Sequence, residues 1–249
     1  MISILLSGCS GKMGQAITRE LAGREDCRIA AGIDKNPAPL GDYPVFSSPE
    51  EVTVPVDVVI DFSHPSLVGP LLDWAQRTGT PAVICTTGLD AAQQEQLRAA
   101  AQKVAVFFSA NMSLGINLLA ELCKKAAQVL GPGFDIEIVE KHHNRKVDAP
   151  SGTALMLADT ISAQLETPPQ YVYDRHSRRA PRSRNEIGIH AVRGGTIVGE
   201  HEVIFAGHDE VITLAHSAAS KEVFAVGAIN AALFLAEKGP GLYNMADLV

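Results

Sequence analysis

Residues 2–14 read ISILLSGCSGKMG, and this stretch decides the first half of the fold. Ile2 to Leu6 is a short apolar run that stops at Gly8, which suits a buried strand entering a tight turn. From Lys12 to Leu21 the apolar residues Met13, Ala16, Ile17 and Leu21 fall at helical spacing. Gly8, Gly11 and Gly14 sit between strand and helix as GxxGxxG, a relative of the GxGxxG dinucleotide fingerprint. The first glycine permits the turn, the second lets backbone approach a pyrophosphate, and the third lets helix and strand pack closely. The helix start then offers N–H donors and a positive dipole end to phosphate. A glycine triplet alone is equally an ordinary strand-to-helix turn, so the surrounding chain has to decide.

A second strand is expected from Arg28 to Ile33, ending at Asp34, twenty residues beyond Gly14. An acidic group there can accept hydrogen bonds from the adenosine ribose hydroxyls. Lys35 beside it could pair instead with a 2′-phosphate, and Lys12 could help with either. Asp34 favours NAD and Lys35 favours NADP, so the preference stays open. Strands at Val56–Phe62, Pro81–Thr86 and Val104–Phe108 alternate with helices at Pro65–Arg77 and Ala91–Gln102. That alternation predicts a parallel sheet covered on both faces, a Rossmann-like α/β domain. Ligands of such sheets lie outside the carboxyl ends of the strands. Three strand ends carry small or hydroxylated residues that suit a nicotinamide ribose: Phe62-Ser63-His64-Pro65, Cys85-Thr86-Thr87-Gly88 and Ser109-Ala110-Asn111-Met112. Each alone is also plain turn chemistry; their joint placement is the stronger point.

After Asn111 the rhythm changes. A long helix is expected at Leu114–Leu130, stopped by Gly131-Pro132-Gly133. Phe134 to His142 alternates strictly, with Phe134, Ile136, Ile138, Glu140 and His142 on one side. A helix over Ser151–Leu165 follows, then strands at Ile187–Val192, Thr196–Ala206 and Val211–His216. This half reads as α+β with a mixed or antiparallel sheet. Lys221–Glu237 is an apolar helix with Val223, Val226, Ala231, Leu233 and Phe234 available for burial. Arg175 to Arg184 (RHSRRAPRSR) holds five arginines, and is either a solvated mobile loop or a loop that attracts an anionic ligand.

Composition narrows the function classes. The chain has 249 residues, 46% hydrophobic and 20% charged, which is ordinary for a soluble globule with one or two domains. Its net charge of −7 argues against a general nucleic-acid binder. The start has no basic region and too short an apolar run for a signal peptide, and no stretch is apolar enough to span a membrane. Cys9, Cys27, Cys85 and Cys123 show no CxxC spacing, so neither a zinc knuckle nor a redox pair is suggested. Reduced thiols and a cytoplasmic location are the plain expectation.

The segment most suggestive of chemistry is EKHHNRKVDAPSGTA, Glu140 to Ala154. His142 and His143 end an alternating strand and so point to opposite faces. A two-histidine metal site would want both on one face with a third ligand, so no metal is expected. One histidine can instead face a substrate while the other supports or relays a proton, and Lys146 adds a positive charge and a second proton donor. Pro150-Ser151-Gly152-Thr153 reads as a helix start with Ser151 as N-cap, and the amides of Gly152 and Thr153 would suit a carboxylate. The bland alternative is a capped helix after a polar turn. Two histidines, a lysine and an anion-ready helix start within one segment favour a receptor for a small dianionic substrate. His64 is placed where it could line the cofactor site. His190, His201, His208 and His216 read as structural or exposed. Cys9 and Cys85 lie near the cofactor by position, with no evident base beside either.

The same segment resembles the signature of the dihydrodipicolinate reductase family, also called 4-hydroxy-tetrahydrodipicolinate reductase, whose pattern is E-x-H-H-x-x-K-x-D-A-P-S-G-T-A. The similarity runs the length of the chain: GCSGKMG, CTTG at Cys85–Gly88, Val192-Arg193-Gly194-Gly195, Val198-Gly199-Glu200-His201, and GLYNM at Gly241–Met245. It implies reduction of the cyclic dicarboxylate by NADH or NADPH, with hydride going to C4 and the hydroxyl lost as water, on the route to diaminopimelate and lysine. By motif position it implies His142 as acid/base residue and Lys146 as proton donor. His143, Ser151, Gly152 and Thr153 become substrate-binding positions. Gly8, Cys9, Ser10, Gly11, Lys12, Met13, Asp34, Lys35, Cys85, Thr86, Thr87, Ser109, Ala110, Asn111 and Met112 become cofactor positions. It also implies a cytoplasmic homotetramer assembled through the sheets of the substrate domains. The expected division is 1–112 with 217–249 as dinucleotide-binding domain, and 113–216 as an inserted substrate-binding and tetramerisation domain. Departures from the family pattern lie in the cofactor half: Lys12 where the glycine loop commonly has Arg, Asp34 where Glu is frequent, Cys85 for the glycine of GTTG, and Ser63-His64 for Thr-Arg. Two other readings stand beside this one: another two-domain NAD(P)-dependent amino-acid dehydrogenase, and a nucleotide-sensing protein without turnover. The His-His-x-x-Lys and Ser-Gly-Thr pairing argues against the first, and the complete proton-donor apparatus against the second.

Overall fold

In the first of two compact units, strands β1 (Ile2–Ser7), β2 (Cys27–Ile33), β3 (Val45–Phe46), β4 (Val58–Asp61), β5 (Ala82–Ile84), β6 (Ala105–Phe108) and β12 (Gly241–Tyr243) form one sheet. A computed structural model describes residues 1–38, 41–109 and 111–248. The first unit is Met1–Leu114 with Glu222–Val249, and the second is Gly115–Lys221. The sheet of the first unit runs β12-β6-β5-β4-β1-β2-β3, all parallel. From β1 the chain moves one way to β2 and β3, then returns to β4 on the other side. That reversal opens a crevice at the carboxyl ends of β1 and β4, the usual ligand position in such sheets.

Both faces of this sheet are buried, which is why its strands are continuous apolar runs and not alternating ones. Ile4, Leu6, Val58 and Ile60 pack on α1 (Lys12–Leu21) and α6 (Glu222–Leu235), while Leu5, Val59, Ala82 and Ile84 pack on α2 (Pro65–Thr78) and α3 (Ala91–Ala101). Helix α6 seats through small residues: Ala225, Gly227, Ala228, Ala231 and Ala232 are buried together with Ile229 and Leu235. The sequence reading placed Val226 in that seat, and the structure corrects it, with Val226 37% exposed. The reason is closeness. A Cβ on Gly227 would collide with the Met112 carbonyl, so no side chain fits where α6 comes closest to that backbone.

The second unit holds a five-stranded sheet, β11-β10-β7-β9-β8. Its strands are β7 (Asp135–His142), β8 (Gln170–Val172), β9 (Glu186–Arg193), β10 (Gly199–Ala206) and β11 (Val211–Ala218). β7 and β8 each run parallel to β9, and β10 is antiparallel to β7 and β11, so the sheet is mixed. Its inner face carries Ile136, Ile138, Ile187, Ile189, Val203 and Phe205. These pack on α4 (Leu114–Leu130) and α5 (Gly152–Ser162) through Ile116, Leu119, Cys123, Ala154, Leu157 and Ile161. β10 begins at Gly199 and not at Thr196, because Gly195 (φ +45°) turns the chain and Gly194 N–H is bonded to the His142 carbonyl.

On the outer face the arginine-rich segment is tied to the sheet by carboxylates of the same chain. Arg175 donates to Glu186 and Glu137, at 2.8 and 2.6 Å. Arg182 donates to Glu137, Asp135 and the carbonyls of Ile136, Ser183 and Glu186. His190 meets the other Glu137 oxygen at 2.8 Å. Burial alone would raise the Glu137 carboxyl, but Arg182, His190 and Arg175 together hold it below the usual carboxylate range. With Arg178 pairing to Glu186 at 3.7 Å, three of the five arginines fasten the segment to β7 and β9. Among the described residues no helix is long and apolar enough to cross a membrane.

Candidate active site

The glycine turn lies at the crevice of the first unit. Gly8 has φ +78°, and a Cβ there would stand 2.6 Å from the Phe62 carbonyl oxygen. A side chain would thus block the turn against the end of β4 in addition to straining it. At Gly14 a Cβ would stand 2.4 Å from the carbonyl oxygens of Gly8 and Cys9, so glycine is what lets α1 start tight against β1. Gly11 is the N-cap of α1 and brings no capping side chain, and no acidic residue occupies the first turn. The helix start is left with its positive end and backbone donors facing outward. Asp34 is drawn to the same place, its Oδ2 accepting from Ser10 N–H at 3.0 Å. These features fit a dinucleotide: a close-approach turn, an uncapped helix start, and a carboxylate beside them.

The remaining predicted cofactor residues divide by exposure. Lys12, Lys35 and Thr87 are exposed, whereas Cys9, Cys85, Thr86 and Met112 are buried. Cys9 packs against Gly32, where a Cβ would sit 2.6 Å from its sulfur. The Thr86 hydroxyl donates to Asp61 Oδ2 at 2.6 Å, so that side chain points inward and only its backbone is left for a ligand. Asp61 is fully buried at the end of β4, and Ser63 N–H also donates to it, at 3.3 Å. Burial raises the Asp61 carboxyl, the surrounding Ser63, Thr86 and Ser7 only partly opposing it. Burial, with Asp61 adding, likewise pushes the Cys85 thiol well up, so this cysteine is inert. Ser109 Oγ donates to the Asn111 carbonyl, and Asn111 Oδ1 accepts from Ser113 N–H. Ala110 lies outside the described residues. His64 caps α2, its Nδ1 accepting from Ser66 N–H at 3.2 Å.

In the second unit the alternation of β7 brings Glu140 and His142 onto the inner face, just past the apolar stretch of Ile136 and Ile138. Glu140 is fully buried. Its Oε2 meets His142 Nδ1 at 2.6 Å and Arg193 Nη1 at 2.7 Å. Its Oε1 accepts from Arg193 Nη2 at 2.7 Å and from Ser151 N–H at 3.0 Å. Burial would raise this carboxyl, but Arg193, His142 and the Ser151 amide outweigh it and hold it below the ordinary range. Arg193 arrives because β7 and β9 pair with His142 opposite Arg193. Ser151 is buried and its hydroxyl is engaged, capping Ala154 N–H at 3.1 Å and meeting His201 Nε2 at 3.0 Å. Gly152 and Thr153 open α5 directly after it.

His201 joins this cluster from β10, where it pairs with Glu140, and its ring stands edge-on to His142 at 5.2 Å between centroids. Its pKa is lowered to about 4, first by burial and then by the charges of His142, His216 and Lys146, with Glu140 opposing. It is therefore a neutral partner at physiological pH. His143 is lowered by burial, then by Lys221, Arg145, His142 and Lys146, so it sits in a strongly cationic surrounding. Lys146 is mostly covered, 22% exposed, and reaches Asp148 at 2.8 Å. Such a concentration of positive charge beside a helix start suits a ligand with more than one negative group.

Four residues of this arrangement were given no role by sequence reasoning: Glu140, Arg193, His201 and Lys221. Glu140 carried a signal, since a carboxylate on the apolar side of an alternating strand demands a buried cation. Arg193 and His201 lie in segments singled out by resemblance, but no local pattern gives them this role, because their approach depends on strand register between distant segments.

The family model described as the dihydrodipicolinate reductase N-terminus matches residues 2–112, and that described as its C-terminus matches residues 115–249. A 4-hydroxy-tetrahydrodipicolinate reductase of Caldanaerobacter subterraneus subsp. tengcongensis is 53% identical over 249 residues, covering 100% of this chain and 98% of that protein. One from Clostridium botulinum is 48% identical over 250 residues, covering 100% and 98%. Among solved structures, a dipicolinate-bound dihydrodipicolinate reductase from Paenisporosarcina sp. TG-14 superposes with a TM-score of 0.84 at 26% identity, covering 100% of both chains.

Proposed function

The chain belongs to the dihydrodipicolinate reductase family, and from that premise we propose that it reduces 4-hydroxy-tetrahydrodipicolinate to tetrahydrodipicolinate with NADH or NADPH, with loss of water, on the route to diaminopimelate and lysine. The observation that carries this reading is His142 held by a buried carboxylate in the same cluster as the N-terminus of α5. His142 is the acid/base residue and Lys146 the proton donor. His143, Gly152 and Thr153 hold the ring carboxylates, the last two through backbone amides at the positive end of α5. Ser151 contributes by shaping that helix start, since its hydroxyl is spent on Ala154 and His201. When bound, the nicotinamide supplies the hydride that goes to C4. The protein's share is to hold the two carboxylates, deliver the proton and let the hydroxyl leave as water.

On the first unit, Gly8 to Met13 receive the pyrophosphate, and Asp34 and Lys35 meet the adenosine ribose. The ends of β5 and β6, Cys85 to Thr87 and Ser109 to Met112, border the nicotinamide side, Ala110 among them by motif position alone. The unit Met1–Leu114 with Glu222–Val249 serves as the dinucleotide-binding domain, and Gly115–Lys221, which keeps Ser217 and Ala218 in β11, as the substrate and assembly domain. The four unpaired cysteines agree with a reducing cytoplasm. The sheet face away from α4 and α5 carries the exposed Val192 and Val211, which supports a homotetramer built through these sheets.

Steady-state oxidation of NADH and NADPH, with and without the dicarboxylate, tests the reading. Turnover is expected only with the dicarboxylate present. His142→Gln and Lys146→Ala should each lose most of kcat while staying folded by circular dichroism. Full rates in both variants would remove the proton-transfer assignment, and dicarboxylate-independent oxidation would remove the substrate assignment.

A further inference from the structure

We infer that Glu140 and Arg193 are positioning residues that fix the tautomer of His142, leaving its Nε2 as the nitrogen that exchanges a proton with ligand. The inference rests on the reading of His142 as the acid/base residue. Glu140 is buried and anionic, so it can only accept hydrogen bonds. Its contact with His142 Nδ1, at 2.6 Å, therefore requires the proton to sit on Nδ1. The remaining acceptor positions of both oxygens are taken by Arg193 and the Ser151 amide, so the carboxylate cannot turn away.

The other ring nitrogen is kept clear. A Cβ on Gly199 would stand 3.1 Å from His142 Nε2, and glycine leaves that space open. Arg193 has a second task. Its Nη2 donates to the Asp148 carbonyl at 2.7 Å, and Asp148 is the carboxylate paired with Lys146. One guanidinium thus holds both the carboxylate behind His142 and the segment that carries Lys146. The Ser151 amide binds the same carboxylate, so the imidazole and the start of α5 share a single anchor. Loss of tautomer control removes part of the factor of about 100 to 10,000 that a positioned acid or base supplies.

The test uses full-length protein labelled with 15N at histidine, its His142 signals assigned by their loss in His142→Gln. Wild type should show His142 as the Nδ1–H tautomer when neutral. In E140Q the population should move toward Nε2–H, and kcat should fall about 10- to 100-fold with the nicotinamide KM unchanged. Because E140Q leaves Arg193 without its carboxylate, the double variant E140Q/R193M is measured too; it removes both charges together, the change that folds tolerate best. The same tautomer shift and rate loss are expected there. An Nε2–H tautomer in wild type, or wild-type kcat in either folded variant, overturns the inference. Full activity of His142→Gln would instead overturn the acid/base reading, while the wild-type spectrum would still report whether Glu140 sets the tautomer.

Discussion

Acid should weaken the second unit through one imidazole. His201 is 4% exposed and its pKa is lowered from 6.5 to about 4, chiefly by burial. In the unfolded chain the same ring takes up its proton near the ordinary value. Between those two pH values the unfolded state binds more protons than the folded one, so stability falls as pH falls. At about 1.4 kcal/mol for each tenfold change in proton affinity, the gap is worth about 3 kcal/mol in all. About 2 kcal/mol of that is lost by the time the pH reaches roughly 5. His143 and His216 are lowered as well, and push in the same direction. His201→Gln isolates the one ring, because the longer amide reaches the Ser151 hydroxyl where Nε2 now stands, without titrating. Urea unfolding followed by far-UV circular dichroism between pH 7.5 and 5 gives the comparison. The unit spanning residues 115–221 should lose about 2 kcal/mol more in wild type than in the variant. Equal slopes in the two proteins would refute the reasoning, since His201 would then titrate alike folded and unfolded.

Two further outcomes concern the first unit. Gly14→Ala drives a Cβ to 2.4 Å from two backbone carbonyls that cannot step aside, so it should cost about 1–3 kcal/mol and weaken NADH binding, read by thermal unfolding and calorimetric titration. Thr86→Val keeps the shape but takes the hydroxyl from the buried Asp61, and should cost about 1–3 kcal/mol in urea; an unchanged midpoint would mean that Asp61 does not depend on that donor.

Much of this arrangement is legible from residue order because it is local. The GxxGxxG turn, the alternation of β7 and the Ser151 cap each depend on neighbours a few residues away, and all three form. β3, β8 and β12 span three residues or fewer, too short for any period to show. Val226 was misplaced for a different reason: its helix is apolar all round, so no stripe marks the seated side, and the close approach at Gly227 decides it. The arginines of 175–184 were unreadable because their partners, Glu137 and Glu186, face them only once β7 and β9 are paired. Arg193 is the sharpest case, since parallel register alone brings it to Glu140 across 53 residues of chain.

The first unit is discontinuous in the chain, and its closing pieces are α6 and β12. During synthesis β1, β4 and β6 leave the ribosome long before the helix that covers one side of them. Until residues 222–235 emerge, Leu6, Ile60 and Phe107 have no Ala228 or Ile229 to rest on. The second unit, whose core draws only on its own segment, can finish first. The nucleotide-handling half of the molecule is therefore sealed after the other, although its defining turn is made before any part of that other half.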